Sequence, residues 1–262
     1  MPMPTITLTT DLGTHDYYVG TVKGELLRAM PGAQIIDISH DIEPYNNIHG
    51  AFVLKNAYHH FPEGTIHIIG VNVFHDSESS PIIIKHEGYF FVGQDNGLFG
   101  LVWDEVLPKE IFRIALTEDE KKSLMPLCDV YVRAAKHLAS GKNPLKIGTK
   151  IPEFRRMMYG KPIISNGYMK GSIVYFDRFG NAMVNIRKEE FERVRSGRSF
   201  VIIFKRYTDM EILSDNYSSV DESEKLCFFN SSGFLQIAIN KGNARNLLNL
   251  SVGDFVQIEF QS

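Results

Sequence analysis

The chain is poor in the residues that build stapled, fibrous or membrane-spanning proteins. Only two cysteines, Cys128 and Cys227, occur among 262 residues. They stand far apart and in no C-x-x-C pattern, which argues against a disulfide framework and a thiolate metal site and fits a reducing, cytoplasmic setting. No apolar run approaches the roughly 18 residues of a membrane helix, and the opening Met-Pro-Met-Pro-Thr-Ile-Thr-Leu carries no basic leader, so neither a membrane span nor a secretory signal is expected. Basic stripes are missing too. Lys and Arg number 28 against 31 Asp and Glu, a net charge of -3, which disfavours nucleic acid or an anionic membrane as the main partner. Neither G-x-x-x-x-G-K-[ST] nor G-x-G-x-x-G occurs, which disfavours nucleoside triphosphate chemistry, and no G-x-S-x-G elbow proposes a serine hydrolase. Internal repeats and low-complexity tracts are also absent. What remains is small-molecule chemistry on an ordinary globular chain, 44% hydrophobic and 23% charged.

The length is nearly twice a common domain size of roughly 100–150 residues, which suggests two domains. Thr5-Ile6-Thr7-Leu8-Thr9 alternates as a strand and hands over through Thr10-Asp11-Leu12-Gly13 to a helical pattern from Asp16 to Met30. Further strands are expected at 34–38, 65–71, 82–85, 89–93 and 111–114, with 82–85 and 89–93 joined as a hairpin through Lys85-His86-Glu87-Gly88-Tyr89. Helical patterns run from Ile48 to Phe61 and from Asp129 to Ala139. Strands alternating with helices imply an α/β domain with a mostly parallel sheet. Past Ser140-Gly141-Lys142-Asn143-Pro144 the texture changes to short β-like runs at 171–177, 182–185, 200–204, 234–238 and 255–260, as in a small β-barrel or sandwich. The boundary is expected within 145–168, giving an N-terminal α/β domain over 1–150 and a C-terminal β-barrel over 165–262. Ser214 to Lys225 reads as an exposed polar loop.

Asp11 stands where the first strand meets a helix, the carboxyl edge at which parallel α/β sheets bind ligands. A carboxylate there can accept from both hydroxyls of a ribose, or it can be a helix N-cap. Asp177-Arg178-Phe179-Gly180-Asn181 packs an acid, an aromatic and an amide into one turn. Asn181 can donate and accept on an adenine edge, Phe179 offers a stacking face, and Asp177 can hold an ammonium group; the plainer reading is a β-turn with Gly180 at positive φ. His59, His60 and His67 do not make a metal pattern, since the first two fall at a helix end and the third in an apolar strand.

Several segments in shared order make the chain resemble the S-adenosyl-L-methionine (SAM) hydroxide adenosyltransferase family, the SAM hydrolases related to fluorinase and chlorinase enzymes. They are Thr9-Thr10-Asp11-Leu12-Gly13, Asp16-Tyr17-Tyr18-Val19-Gly20 with Lys23-Gly24, Gly64-Thr65-Ile66-His67, and Phe91-Val92-Gly93-Gln94-Asp95-Asn96-Gly97-Leu98. Asp177-Arg178-Phe179-Gly180-Asn181, Asn185-Ile186, Asn230-Ser231-Ser232-Gly233 and Ile237-Ala238-Ile239-Asn240 continue the series. The resemblance implies a homotrimer, with each active site between one subunit's large domain and its neighbour's barrel, and SAM as substrate or ligand with no further cofactor and no metal. It implies Asp11 on the ribose, Asn181 on adenine with Phe179 stacking, Asp177 on the methionine ammonium and Ser231 on its carboxylate. The reaction implied is displacement at C5′, with methionine leaving as a neutral thioether.

The family's hydrolases activate water with an Asp in V-D-P-G-V-G, an Arg seven residues later and a His in F-H-G-R-D. Here those positions hold Asn72, Ser79 and Pro126. The catalytic candidates are therefore Asn72, Ser79 and His75, the last able to act as a general base from within the same loop, beside Asp76 and Glu78. Exposed loop residues are the plainer reading of this segment. Ser79 and Ser80 also offer hydroxyl donors to an anion. Three functions stay open: hydrolysis of SAM to adenosine and methionine with a non-standard water-activating set, a non-catalytic SAM or adenosine sensor, and displacement with another nucleophile.

Overall fold

The alternating Thr-Ile-Thr-Leu run forms β1 (Thr5–Thr10), and both of its faces are covered. Burying threonine is tolerable there because Thr7 Oγ1 lies 2.7 Å from Nδ1 of His67, and Thr10 Oγ1 lies 2.7 Å from Nδ1 of His40. A computed structural model describes residues 3–73, 79–103, 106–205 and 209–261. The chain divides into two units, Met1–Met158 and Tyr159–Ser262.

In the first unit β1 is followed by α1 (Tyr18–Ala29), whose Val19, Val22 and Leu26 share one buried face. β2 (Gln34–Ser39), α2 (Asn47–Ala57) and β3 (Ile66–Gly70) come next. Asn46 caps α2 by accepting the His49 N–H, and the helical pattern beyond Ala57 tightens into a 3₁₀ turn, Tyr58–His60. β4 (Pro81–His86) and β5 (Tyr89–Gln94) form the expected hairpin, turned by Glu87 and Gly88 at φ 49° and 84°. α3 (Leu98–Val102), β6 (Glu110–Ile114), a π-helical turn (Leu127–Tyr131) running into α4 (Val132–Ala139), and β7 (Gly148–Ile151) complete it.

The sheet order is β2-β1-β3-β5-β4-β6-β7. Pairing is parallel from β2 through β5 and antiparallel beyond, because the tight turn into β5 leaves no room for a crossover. The chain leaves β1 for β2 on one side and returns to β3 on the other, so a crevice opens at the carboxyl ends of β1 and β3. Ile6, Leu8, Ile66, Ile68, Val92 and Tyr131 belong to the core beneath it.

The second unit holds β8 (Ile163–Ile164), β9 (Tyr168–Phe176), β10 (Ala182–Arg187), α5 (Lys188–Arg195), β11 (Ser199–Phe204), β12 (Asp209–Met210), β13 (Lys225–Phe229), β14 (Phe234–Ile239), α6 (Ala244–Leu247) and β15 (Phe255–Gln261). Its order is β12-β11-β15-β9-β10-β14-β13, antiparallel throughout, with β8 on β9. The Ser214 N–H, just past β12 at one edge, donates to the Cys227 carbonyl of β13 at the other edge, 2.7 Å away. The sheet is thereby rolled nearly shut around Ile173, Val184, Phe191, Ile202 and Ile237. Among the described residues no helix is long and apolar enough to cross a membrane.

Candidate functional site

Each unit carries one polar cluster at the end of its strands. In the first unit Asp11 directly follows β1, and its N–H reaches the Gly70 carbonyl at the end of β3, 3.3 Å away. Its Oδ2 accepts two backbone N–H groups, from Tyr45 and Asn72, both at 2.9 Å. Both donors hold positive φ, 65° and 52°, a conformation uncommon for residues with a side chain and least suited to a bulky one such as tyrosine. Two charge-assisted hydrogen bonds to one carboxylate oxygen offset that strain. Oδ1 makes no hydrogen bond among the described residues and remains an open acceptor. Asp11 is not a helix cap, because α1 starts behind Tyr17, which makes no side-chain cap bond.

Beside Asp11 lies a pocket of about 310 Å³, whose walls include Leu12, Tyr18, Tyr45, Gly70, Val73 and Pro126. Gly70 is needed for its shape, since a Cβ there would sit 2.4 Å from Leu127 Cδ2. Asp11 is the sole carboxylate or base lining it among the described residues. Asn72 is clamped from both sides, its N–H on Asp11 and its carbonyl accepting Asn96 Nδ2 at 3.0 Å, while its own side-chain amide has no partner among the described residues. Pro126 stands at the start of the π-helical turn, in the pocket wall. Ser79 is not among the residues that line the pocket. Its hydroxyl donates to the Asp95 carbonyl at 3.4 Å and its carbonyl accepts Gln94 Nε2 at 2.8 Å. His75, with Asp76 and Glu78, lies outside the described residues.

In the second unit the segment between β9 and β10 is indeed a tight turn. The Gly180 N–H donates to the Asp177 carbonyl at 2.9 Å, and Gly180 holds φ 80°. The turn also organises the candidate side chains. Asp177 Oδ1 accepts the N–H groups of Phe179 and Asn181 at 3.0 and 2.9 Å, and its Oδ2 accepts Asn181 Nδ2 at 2.8 Å. The Phe179 ring is left 74% exposed, whereas Asn181 is buried. Nδ2 of Asn181 also donates to the Tyr217 hydroxyl at 2.9 Å, so both amide hydrogens are committed and only Oδ1, buried and unpartnered, is left. Asn181 therefore presents an acceptor alone, rather than the donor and acceptor its residue type suggests. Ser231 is exposed in the turn between β13 and β14, where Asn230 Oδ1 accepts the N–H groups of Ser232 and Phe234.

Tyr45, Tyr217 and Gln236 enter these clusters without having been singled out by residue pattern, and Asn96 and Asn230 enter from segments that the sequence marked without giving them a role. The thiols do not. Burial pushes Cys128 to about 11 and Cys227 to about 12, so neither is a thiolate at neutral pH. No three His, Cys, Asp or Glu side chains gather to hold a metal among the described residues.

Known proteins share this architecture along the whole chain. A (R)-S-adenosyl-L-methionine hydrolase from Methanocaldococcus jannaschii is 31% identical, over 97% of this chain and 95% of that protein. One of the same name from Thermus thermophilus is 27% identical over 93% and 94%. A fluorinase from Actinopolyspora mzabensis is 24% identical over 97% of each. The crystal structure of a conserved protein from Thermotoga maritima superimposes with a TM-score of 0.85 at 29% identity, covering 97% of this chain and 99% of that one. Residues 6–148 match the SAM hydroxide adenosyltransferase N-terminal domain and residues 171–257 match its C-terminal domain; the chain belongs to the SAM hydroxide adenosyltransferase family.

Proposed function

We propose that this protein cleaves SAM with water to adenosine and L-methionine by displacement at C5′. The observation that carries the reading is Asp11, tethered through one carboxylate oxygen at the switch point of the sheet, with the other open to accept ribose hydroxyls. Asn181 Oδ1 accepts the adenine amine, Phe179 stacks on the base, Asp177 takes the methionine ammonium with its remaining lone pair, and Ser231 donates to the carboxylate. The sulfonium charge disappears along the reaction. Apolar walls such as Leu12, Val73 and Pro126 favour that loss of charge, and the protein's main task is to align the nucleophile.

Asn72, His75 and Ser79 form the water-handling segment in this reading. An amide cannot take a proton, so Asn72 orients water, Ser79 anchors the downstream end of the segment against Asp95 and Gln94, and His75 is the residue type able to act as base. We assign the protein to the cytoplasm on its two free cysteines, and to a homotrimer in which the two polar clusters of neighbouring subunits meet on one ligand. Relatives named as SAM hydrolases weigh against the sensor reading, and fluorinases enter at lower identity.

The test is incubation of the purified protein with SAM, with adenosine and methionine followed by chromatography beside a no-enzyme control across several pH values. Equimolar products growing with time are expected. Tight SAM binding without product would overturn cleavage and leave a binding module.

A further inference from the structure

In the second unit a chain of side-chain hydrogen bonds has its direction fixed at both ends. At one end stands the Asp177 carboxylate, which only accepts, so the Asn181 amide must turn its nitrogen toward it. At the other end the N–H groups of Ser232 and Phe234 point at Asn230 Oδ1, at 3.0 and 3.1 Å, so Asn230 must offer its nitrogen onward. It does so to Gln236 Oε1 at 3.2 Å, which turns Gln236 Nε2 away. Both lines of donors end on one atom. The Tyr217 hydroxyl oxygen accepts from Asn181 Nδ2 at 2.9 Å and from Gln236 Nε2 at 2.7 Å.

A hydroxyl oxygen has room for two acceptor contacts and carries one proton. With both acceptor positions taken, the proton has to be given to a third partner, and no acceptor for it exists among the described residues. The proton is also retained, since burial and then the nearby Asp177 charge push Tyr217 above the usual phenol range. The ring packs edge-on against Phe228 with centroids 5.1 Å apart, and the residue is 39% exposed, so the hydroxyl is held but can be reached. One amide group away lies Asn181 Oδ1, buried and without a partner. An obligatory donor therefore stands beside an unfilled acceptor.

We propose that Tyr217 is a specificity-determining residue of the nucleoside subsite, donating its hydroxyl proton to the adenine ring nitrogen next to the 6-amino group that Asn181 accepts. The proposal rests on the reading of this cluster as the adenine subsite. A 6-aminopurine offers a donor flanked by ring acceptors, N1 and N7. A 6-oxopurine sets its oxygen against the Asn181 oxygen, and neither side chain can turn to relieve the clash because the chain is locked at both ends.

The experiment is calorimetric binding of adenosine, inosine, 1-deazaadenosine and 7-deazaadenosine to the full-length protein and to Tyr217→Phe, which keeps the ring and removes the donor. Wild type is expected to bind adenosine at least about tenfold more tightly than inosine, and several-fold more tightly than the deaza analogue lacking the contacted nitrogen. In Tyr217→Phe the penalty for that analogue should vanish while the ring packing persists. Equal deaza penalties in both proteins, or equal adenosine affinity, would overturn the role of Tyr217 while leaving the nucleoside subsite standing. Should the variant fail to fold by circular dichroism, wild type decides alone, since indifference to both deaza replacements removes the donor. Wild type that binds neither adenosine nor SAM would overturn this proposal together with the reading beneath it.

Discussion

The proposed function gives the two oxygens of Asp11 different jobs, and these can be separated. Oδ2 holds the N–H groups of Tyr45 and Asn72 in left-handed conformations, while Oδ1 makes no hydrogen bond among the described residues. Asp11→Asn keeps one oxygen for the two backbone groups but replaces the ribose acceptor with a donor and removes the charge. Asp11→Ala loses both. Adenosine affinity should therefore fall in both variants, by about 1.5–3 kcal/mol per charged hydrogen bond lost. The melting temperature should drop clearly only in Asp11→Ala. Calorimetry and thermal denaturation of the two variants read these effects, and unchanged adenosine affinity in Asp11→Asn would remove the ribose role. The sequence pointed to Asp11 because a carboxylate at a strand end is a local feature. It did not point to Tyr45, nor to the left-handed backbone of Asn72, because both are set by a carboxylate far away in the chain. Tyr217 was hidden for a related reason, since it sits in a polar run and the partners of its hydroxyl, Asn181 and Gln236, are distant in the chain.

At the scale of elements, the strands of the first unit were legible apart from β7, because buried strands leave dense β-branched runs, whereas β7 is short, partly exposed and at the sheet edge. Five elements of the second unit were not: β8, α5, β12, β13 and α6. α5 buries only Phe191, so it has no apolar period to detect, and β13 follows directly on the polar stretch 214–225. β1 and β3 are also coupled by a titratable group. His67 pairs in register with Thr7, is fully buried and stacks on Phe91 at 4.9 Å. Burial pushes its pKa down to about 4 from an ordinary value near 6.5. Above pH 6.5 both folded and unfolded chains hold it neutral, and no stability is lost. As pH falls from about 6.5 to about 4 the unfolded chain takes up the proton first, so stability declines by up to roughly 3 kcal/mol, and below that window the loss stops growing. His67→Gln removes this dependence. Urea denaturation at pH 7 and pH 4.5 should show the wild type losing more stability than the variant between the two pH values, and equal losses would contradict a buried neutral imidazole.

At the scale of the whole molecule, the contacts assigned to SAM are divided between two units, with Asp11 in one and Asp177, Phe179, Asn181 and Ser231 in the other. In the proposed function one ligand touches both sets. If a site joins the first unit of one subunit to the second unit of its neighbour, two different inactive chains can repair each other. Asp11→Asn spoils one half of a site and Asp177→Asn the other, so a mixed ring contains an interface at which both halves are intact. Co-expression in equal amounts, with random assembly of a cyclic trimer, should recover about one quarter of wild-type SAM cleavage, because each site draws an intact half from each side half of the time. Sedimentation should give a particle of about three times the 29.8 kDa chain mass for wild type and for the mixture. Activity no higher than the sum of the separate variants, in a mixture shown to contain both chains in one particle, would mean that each chain builds its site alone. In that case the trimer would serve stability rather than chemistry.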